Sequence, residues 1–219
     1  MHRLLFKKTG NAIWISHLDL MRLFQRAFKR AGLSLTHTQG YSPKPSVSIA
    51  MPLSVGVESI CELLDFDLEG DAVPSDEIVA RLNETLVEGV QVLQAYDNGK
   101  KIKELSLLHC QVILEYDGGI PENADSLLRE LFARESLIVA KKSKNGMQDQ
   151  DLIPMIKRID VIRVGEQEIV LDCVVCCQNP TLNPMQIVAA IGLHLPEIKP
   201  DFAKCRRTEI YDSNENVFR

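Results

Sequence analysis

The sequence predicts an α+β protein of two tandem ferredoxin-like domains with antiparallel sheets and helices on one face. Three observations predict it. The order strand, helix, strand, strand, helix, strand can be read over residues 1–96, and a similar order recurs over 105–211. Between them Asp97–Glu104 carries five charged residues and Gly99 and has little to bury. The 219 residues suffice for two small domains, with apolar and charged fractions of 45% and 25% that are ordinary for a globular chain. The expected domains are 1–104 and 105–219.

His2–Lys7 reads as a strand, Lys8-Thr9-Gly10-Asn11 as a turn, and Ala12–Ile15 as further extended chain. A helix then runs from Ser16 to Ala31. Ser16-His17-Leu18-Asp19 opens it like a capping box with Asp in place of Glu, and Gly32 stops it. The segment Gly40-Tyr41-Ser42-Pro43-Lys44-Pro45 is turn-rich. Val47–Met51 and Glu62–Leu68 have the composition of a strand pair, Ser75–Glu88 of a helix and Val90–Tyr96 of a strand. In the second half, His109–Tyr116 reads as a strand, Ala124–Arg134 as a helix and Ser136–Lys142 as a strand. Residues 143–151 read as a polar loop. Asp160–Val164 and Glu168–Cys177 read as a hairpin, Pro184–Leu193 as a helix with proline at its start, and Lys204–Tyr211 as the closing strand.

The charge is unevenly spread. The whole chain carries −5, yet residues 1–50 hold eight Lys/Arg and one acid, Asp19, which is +7 and leaves −12 for the rest. This implies a local anion-binding face on an acidic body. At about 100° per residue, Leu20, Met21, Leu23, Phe24, Ala27, Phe28 and Ala31 share one face of the first helix. Arg22, Arg26, Lys29 and Arg30 share the other with Asp19. Four cations with one acid suit a phosphate-binding stripe, since a merely solvated face usually interleaves both signs; a solvated face on a core-packed helix is the alternative.

The proline loop adds to this. Pro43 and Pro45 stiffen it and offer no N–H, so donors must come from Ser42, Ser46 and the Lys44 ammonium, while Tyr41 supplies a ring on which a base can stack. A rigid connector is the other reading. In Leu53–Ser59, Gly56 fits a turn or bulge and Glu58 is a candidate partner for a nearby cation. His17 reads either as a packed, hydrogen-bonded histidine or as a site residue at a helix N-terminus, and His37 as a second candidate; these are the only acid–base candidates. Six cysteines lie mostly in apolar runs, as reduced core thiols of a cytoplasmic protein do. Cys173-Val174-Val175-Cys176 is a CxxC, but residues three apart on a strand point to opposite faces, so no metal is expected from it, nor any cofactor. No run approaches the ~18 apolar residues of a membrane span.

The blocks Lys8-Thr9-Gly10, Ile15-Ser16-His17-Leu18-Asp19, Arg26-Ala27 with Arg30-Ala31, Gly40 to Pro45, and Leu53 to Ser59 with Glu62 carry a resemblance over nearly the whole chain. They resemble the radical-SAM-linked family of bacterial proteins of unknown function. Weaker matches follow at Lys141–Lys144, Asn183-Pro184 and Arg206-Arg207-Thr208-Glu209. Tyr41 replaces the Phe of that pattern, and Asn11–Trp14 departs from a more basic stretch. The resemblance implies partnership with a separate radical-SAM protein, on RNA. It assigns no reaction. The expectation is thus an accessory module for an anionic partner, foremost RNA, with Arg22, Arg26, Lys29, Arg30, Tyr41, Ser42 and Lys44 in contact and Ser16, Asp19, Gly40, Pro43, Pro45, Gly56 and Glu58 in support. The alternatives are an adaptor for an acidic protein and a metal-independent RNA-processing enzyme.

Overall fold

A computed structural model describes residues 2–143 and 146–219. The chain is mixed α+β, mostly antiparallel, and divides into two compact units, Met1–Ile102 with Arg219 and Lys103–Phe218.

The first unit runs β1 (His2–Lys8), α1 (His17–Arg30), β2 (Val47–Ala50), β3 (Glu58–Phe66), α2 (Ser75–Asn83) and β4 (Val90–Asp97). Its strands lie in the order β4-β1-β3-β2, each pair antiparallel. One core forms between this sheet and both helices. Leu4 and Phe6 of β1, Leu64 and Phe66 of β3 and Val92 of β4 meet Leu20, Phe24 and Phe28 of α1 and Ile78 and Leu82 of α2. Phe24 sets its edge to the ring of Phe6 at 4.8 Å, a favoured aromatic geometry.

The second unit runs β5 (Leu105–Glu115), α3 (Ala124–Phe132), β6 (Ile138–Ser143), β7 (Gly146–Asp151), β8 (Ile156–Val164), β9 (Glu168–Cys176), α4 (Met185–His194) and β10 (Phe202–Asp212). Its four long strands lie in the order β10-β5-β9-β8, again antiparallel. Strands β6 and β7 form a separate two-stranded sheet.

Several elements differ from the expectation. Gly10–Trp14 is a 3-10 helix, not extended chain, with Ala12 buried and its N–H donated to Thr9 O at 3.2 Å. α2 stops at Asn83, five residues early, because the Asn83 amide is pinned to both backbone groups of Val92 at 2.9 Å. Ser136–Lys142, read as a strand of the repeated order, is replaced by β6 at Ile138–Ser143, which belongs instead to the separate sheet. It pairs with residues 146–151, which were expected to form a polar loop. The strand beside β9 is β8, which begins four residues before the expected Asp160. The expected match at Lys144 lies outside the described residues.

Candidate nucleic-acid interface

The surface of interest is built on α1. Ser16 caps it: its hydroxyl accepts from Asp19 N–H at 3.2 Å and donates to Asp19 Oδ2 at 2.7 Å. At the far end Gly32 takes φ +68°, a left-handed turn that other residues adopt with strain, and Ala31 caps the helix. Between these ends Leu20, Phe24, Ala27 and Phe28 of the apolar stripe are buried and Met21, Leu23 and Ala31 half-buried, so Arg22, Arg26, Lys29 and Arg30 are turned to solvent.

Two of the four are engaged. Arg22 Nη1 donates to Asp19 Oδ1 at 3.0 Å, and Arg30 Nη2 donates to Thr85 O at 2.8 Å. Arg26 and Lys29 have no ion-pair partner among the described residues. Asp19 is held below the usual carboxylate range, first by the Ser16 hydroxyl and then by Arg22. It is the one acid of the helix, so the stripe keeps a net positive charge.

The other cations of the first fifty residues divide. Arg3 is buried and gives Nη2 to Asp65 Oδ2 at 3.0 Å and Nη1 to Lys100 O at 2.9 Å. Lys8 is also buried; its ammonium donates to Ile13 O at 3.1 Å and Ile15 O at 2.8 Å, and desolvation lowers its pKa. Both are engaged inside the first unit and neither is available to an anion. Lys7 is half-buried on β1.

Tyr41, Ser42, Pro43 and Lys44 are exposed on a loop closed by two bonds, Thr38 N–H to Lys44 O at 2.8 Å and Lys44 N–H to Thr38 Oγ at 3.1 Å. Gly40 turns the chain at φ +136°, and Tyr41 has no covering neighbour, at 108% relative exposure. At the base of the loop His37 bridges Pro45. Here loop and helix meet. Lys29 and Phe28 of α1, Leu33, Leu35 and His37, Pro45 and Glu69 line one cleft of about 360 Å³. His37 Nδ1 stands 3.8 Å from Glu69 Oε1. The fold therefore gathers three expected residues, Lys29, His37 and Pro45, and adds Glu69, which no sequence pattern singled out.

His17 is at the other end of α1, roughly 20 Å away along fourteen residues at 1.5 Å each. The two histidines do not form an acid–base pair. His17 is half-buried, and its Nδ1 has no hydrogen-bond partner among the described residues.

Gly56, at φ +82°, donates to Ile13 O at 2.9 Å, and a Cβ there would lie 3.4 Å from the Trp14 ring. It gives Trp14 its seat. Trp14, Leu18 and Val55 are 67%, 65% and 54% exposed, three large apolar side chains that the sequence reading passed over. Glu58 is half-buried at the first position of β3.

In the second unit the CxxC lies on β9, with Cys173 buried and Cys176 half-buried. Cys173 lies opposite Cys110. Hydrogen bonding to Cys173, then burial, pushes the Cys110 thiol well up; its bond to Cys110 and burial do the same for Cys205. Burial raises Cys177 to about 11. Thiols held protonated are poor nucleophiles and ligands. Among the described residues no three His, Cys, Asp or Glu are grouped as metal ligands. His109, between Asp172 at 2.9 Å and Tyr211 at 3.5 Å, was also unsignalled by local sequence, because three different strands supply the three residues. No helix among the described residues is long and apolar enough to cross a membrane.

The family model described as "Uncharacterized protein conserved in bacteria (DUF2344)" matches residues 2–184. None of the curated proteins compared with the chain matches it. Among solved structures, the crystal structure of a Cbf5-Nop10-Gar1 complex is similar at 10% identity and a TM-score of 0.54, over 95% of this chain and 48% of that one. The archaeal box H/ACA sRNP Nop10-Cbf5 complex is similar at 10% identity and a TM-score of 0.49, over 94% and 46%. The chain thus spans about half the length of these two solved chains, and at this identity the likeness to the first is one of fold.

Proposed function

The chain belongs to the bacterial family DUF2344, and from that premise we propose that it is an accessory module that binds RNA. The observation that carries the proposal is the α1 stripe, where Arg26 and Lys29 are exposed and without an ion-pair partner while the helix holds a single acid. Phosphates neutralised by such cations release counterions, which supplies most of the affinity for a nucleic-acid backbone. Tyr41, Ser42 and Lys44 on the neighbouring loop add a stacking ring and donors. In this reading each unit is a ferredoxin-like domain, a reading supported by the shared strand order of the two units. The first unit carries the RNA and offers it to a separate radical-SAM protein, as the family resemblance implies. The six free cysteines support a reducing compartment, and we place the protein in the cytoplasm. The proposal assigns no reaction to the chain itself. A protein partner is the second reading, favoured by the exposed Trp14, Leu18 and Val55.

The test is fluorescence anisotropy of a labelled single-stranded RNA across a salt series. The logarithm of affinity should fall linearly with the logarithm of salt. The double variant Arg22→Ala/Arg26→Ala should weaken binding and reduce the slope by roughly one to two units. An unchanged affinity and slope in the folded double variant would reject the stripe.

A further inference from the structure

The cleft at the C-terminal end of α1 has the chemistry of a base-reading pocket. Its volume, about 360 Å³, is at the lower end of small-ligand sites, about 300–1,000 Å³. It has room for one nucleotide and none for a duplex. Its floor is apolar, since Phe28, Leu33 and Leu35 line it and are buried in the core. Its rim is polar. Lys29 stands there as the last cation of the stripe without an ion-pair partner, and Glu69 stands beside His37, Oε1 3.8 Å from Nδ1, with its other oxygen facing no ion-pair partner among the described residues.

A carboxylate beside a nucleic acid repels the phosphates and attracts donors, among them the N–H groups of bases. An ionised Glu offers two acceptor oxygens and no donor. Among the four bases, guanine alone presents two adjacent N–H donors, N1–H and the 2-amino group, on its Watson–Crick edge. Adenine and cytosine present one amino group beside a lone pair, and uracil one imino N–H between two carbonyls that a carboxylate repels. We infer that the cleft holds a single unpaired guanine of the bound RNA, its edge on Glu69, its faces against the apolar floor and the Pro45 ring, and its phosphate on Lys29. Reading a splayed base on its Watson–Crick edge is the usual route to sequence preference in single-stranded RNA. The inference rests on the RNA reading above and adds a specificity to it.

The experiment uses the full chain and a ten-nucleotide uridine RNA whose central position is uridine, guanosine, inosine, adenosine or cytidine. The guanosine RNA should bind about tenfold tighter than the uridine RNA, within the range that a good bidentate pair gives. Inosine, which lacks the 2-amino group, should lose most of that gain. Glu69→Gln changes an exposed side chain; it should reduce the guanosine preference below about twofold and leave the salt slope for the uridine RNA unchanged. Equal affinities for all five RNAs with a normal salt slope would overturn the guanine site and leave the RNA reading standing. No salt-dependent binding to any of them would overturn both. Free guanosine monophosphate binding as tightly as the guanosine RNA would assign the cleft to a mononucleotide, against the inference.

Discussion

Lys7 and Lys8 are adjacent in the chain and part company in the fold. Lys8 turns inward and spends its charge on two carbonyl oxygens, whereas Lys7 remains half-buried on the other side of β1. Arg3 likewise turns to Asp65, sixty-two residues away. The sequence counted all three in the +7 charge of the first fifty residues; alternation along β1 separates Lys7 from Lys8, and the partner of Arg3 comes from another strand. A buried phenol gives a residue-scale prediction. Tyr116 is 3% exposed and donates to Ile198 O at 3.0 Å, and burial, with Asp201 nearby, pushes its pKa up to about 12. The unfolded phenol titrates near 10. The folded state therefore holds the proton more tightly, and this contribution to stability is full below pH 10 and is lost as the pH rises towards 12. Tyr116→Phe should cost about 1 kcal/mol at neutral pH. In urea melts the deficit should shrink between pH 10 and 12; a constant deficit would show that Tyr116 does not titrate as described.

At the scale of elements, α1 was the most legible part of the chain, because its apolar period, its Ser16 cap and its Gly32 stop all agree. Its two faces should respond oppositely to substitution. Phe24→Ala removes a buried ring and should cost about 3–5 kcal/mol. Ser16→Ala should cost about 1 kcal/mol by freeing the Asp19 N–H. Arg22→Ala with Arg26→Ala should stay within about 0.5 kcal/mol, since exposed pairs contribute little. Denaturant midpoints at a constant m-value would rank the three; a double arginine variant as unstable as Phe24→Ala would mean that the stripe is structural. The β6–β7 ribbon was not legible. Residues 146–149 are exposed throughout, so no alternation marks β7, and only its backbone ladder to β6 makes it a strand. Glu69 escaped notice for a similar reason. It lies outside the named helices and strands and enters the cleft through long-range pairing, with its N–H on Ser34 O at 2.8 Å and the neighbouring Leu68 bridged to Leu35.

For the molecule as a whole, net charge and local charge give opposite forecasts. A pI near 5.6 forecasts repulsion from a polyanion at pH 7.5. The cationic stripe forecasts capture, because a patch acts on a ligand within about 10 Å at moderate salt while distant acids are screened. The protein should be retained on immobilised heparin at low salt, and the Arg22→Ala/Arg26→Ala/Lys29→Ala/Arg30→Ala variant should flow through; retention of both would place the anion surface elsewhere. Trp14 extends the same contrast to light. It is the one tryptophan of the chain, and it is already 67% exposed in the native state. Its emission should therefore be red-shifted when folded and change little in urea, so it is a poor monitor of unfolding. The same exposure makes it a sensitive monitor of association: a protein partner covering Trp14 should shift the emission to the blue, and a stacked base should quench it. The whole molecule thus has an optical reporter at one surface spot. A titration with RNA that leaves this emission unchanged while anisotropy rises would show that the nucleic acid stays clear of Trp14.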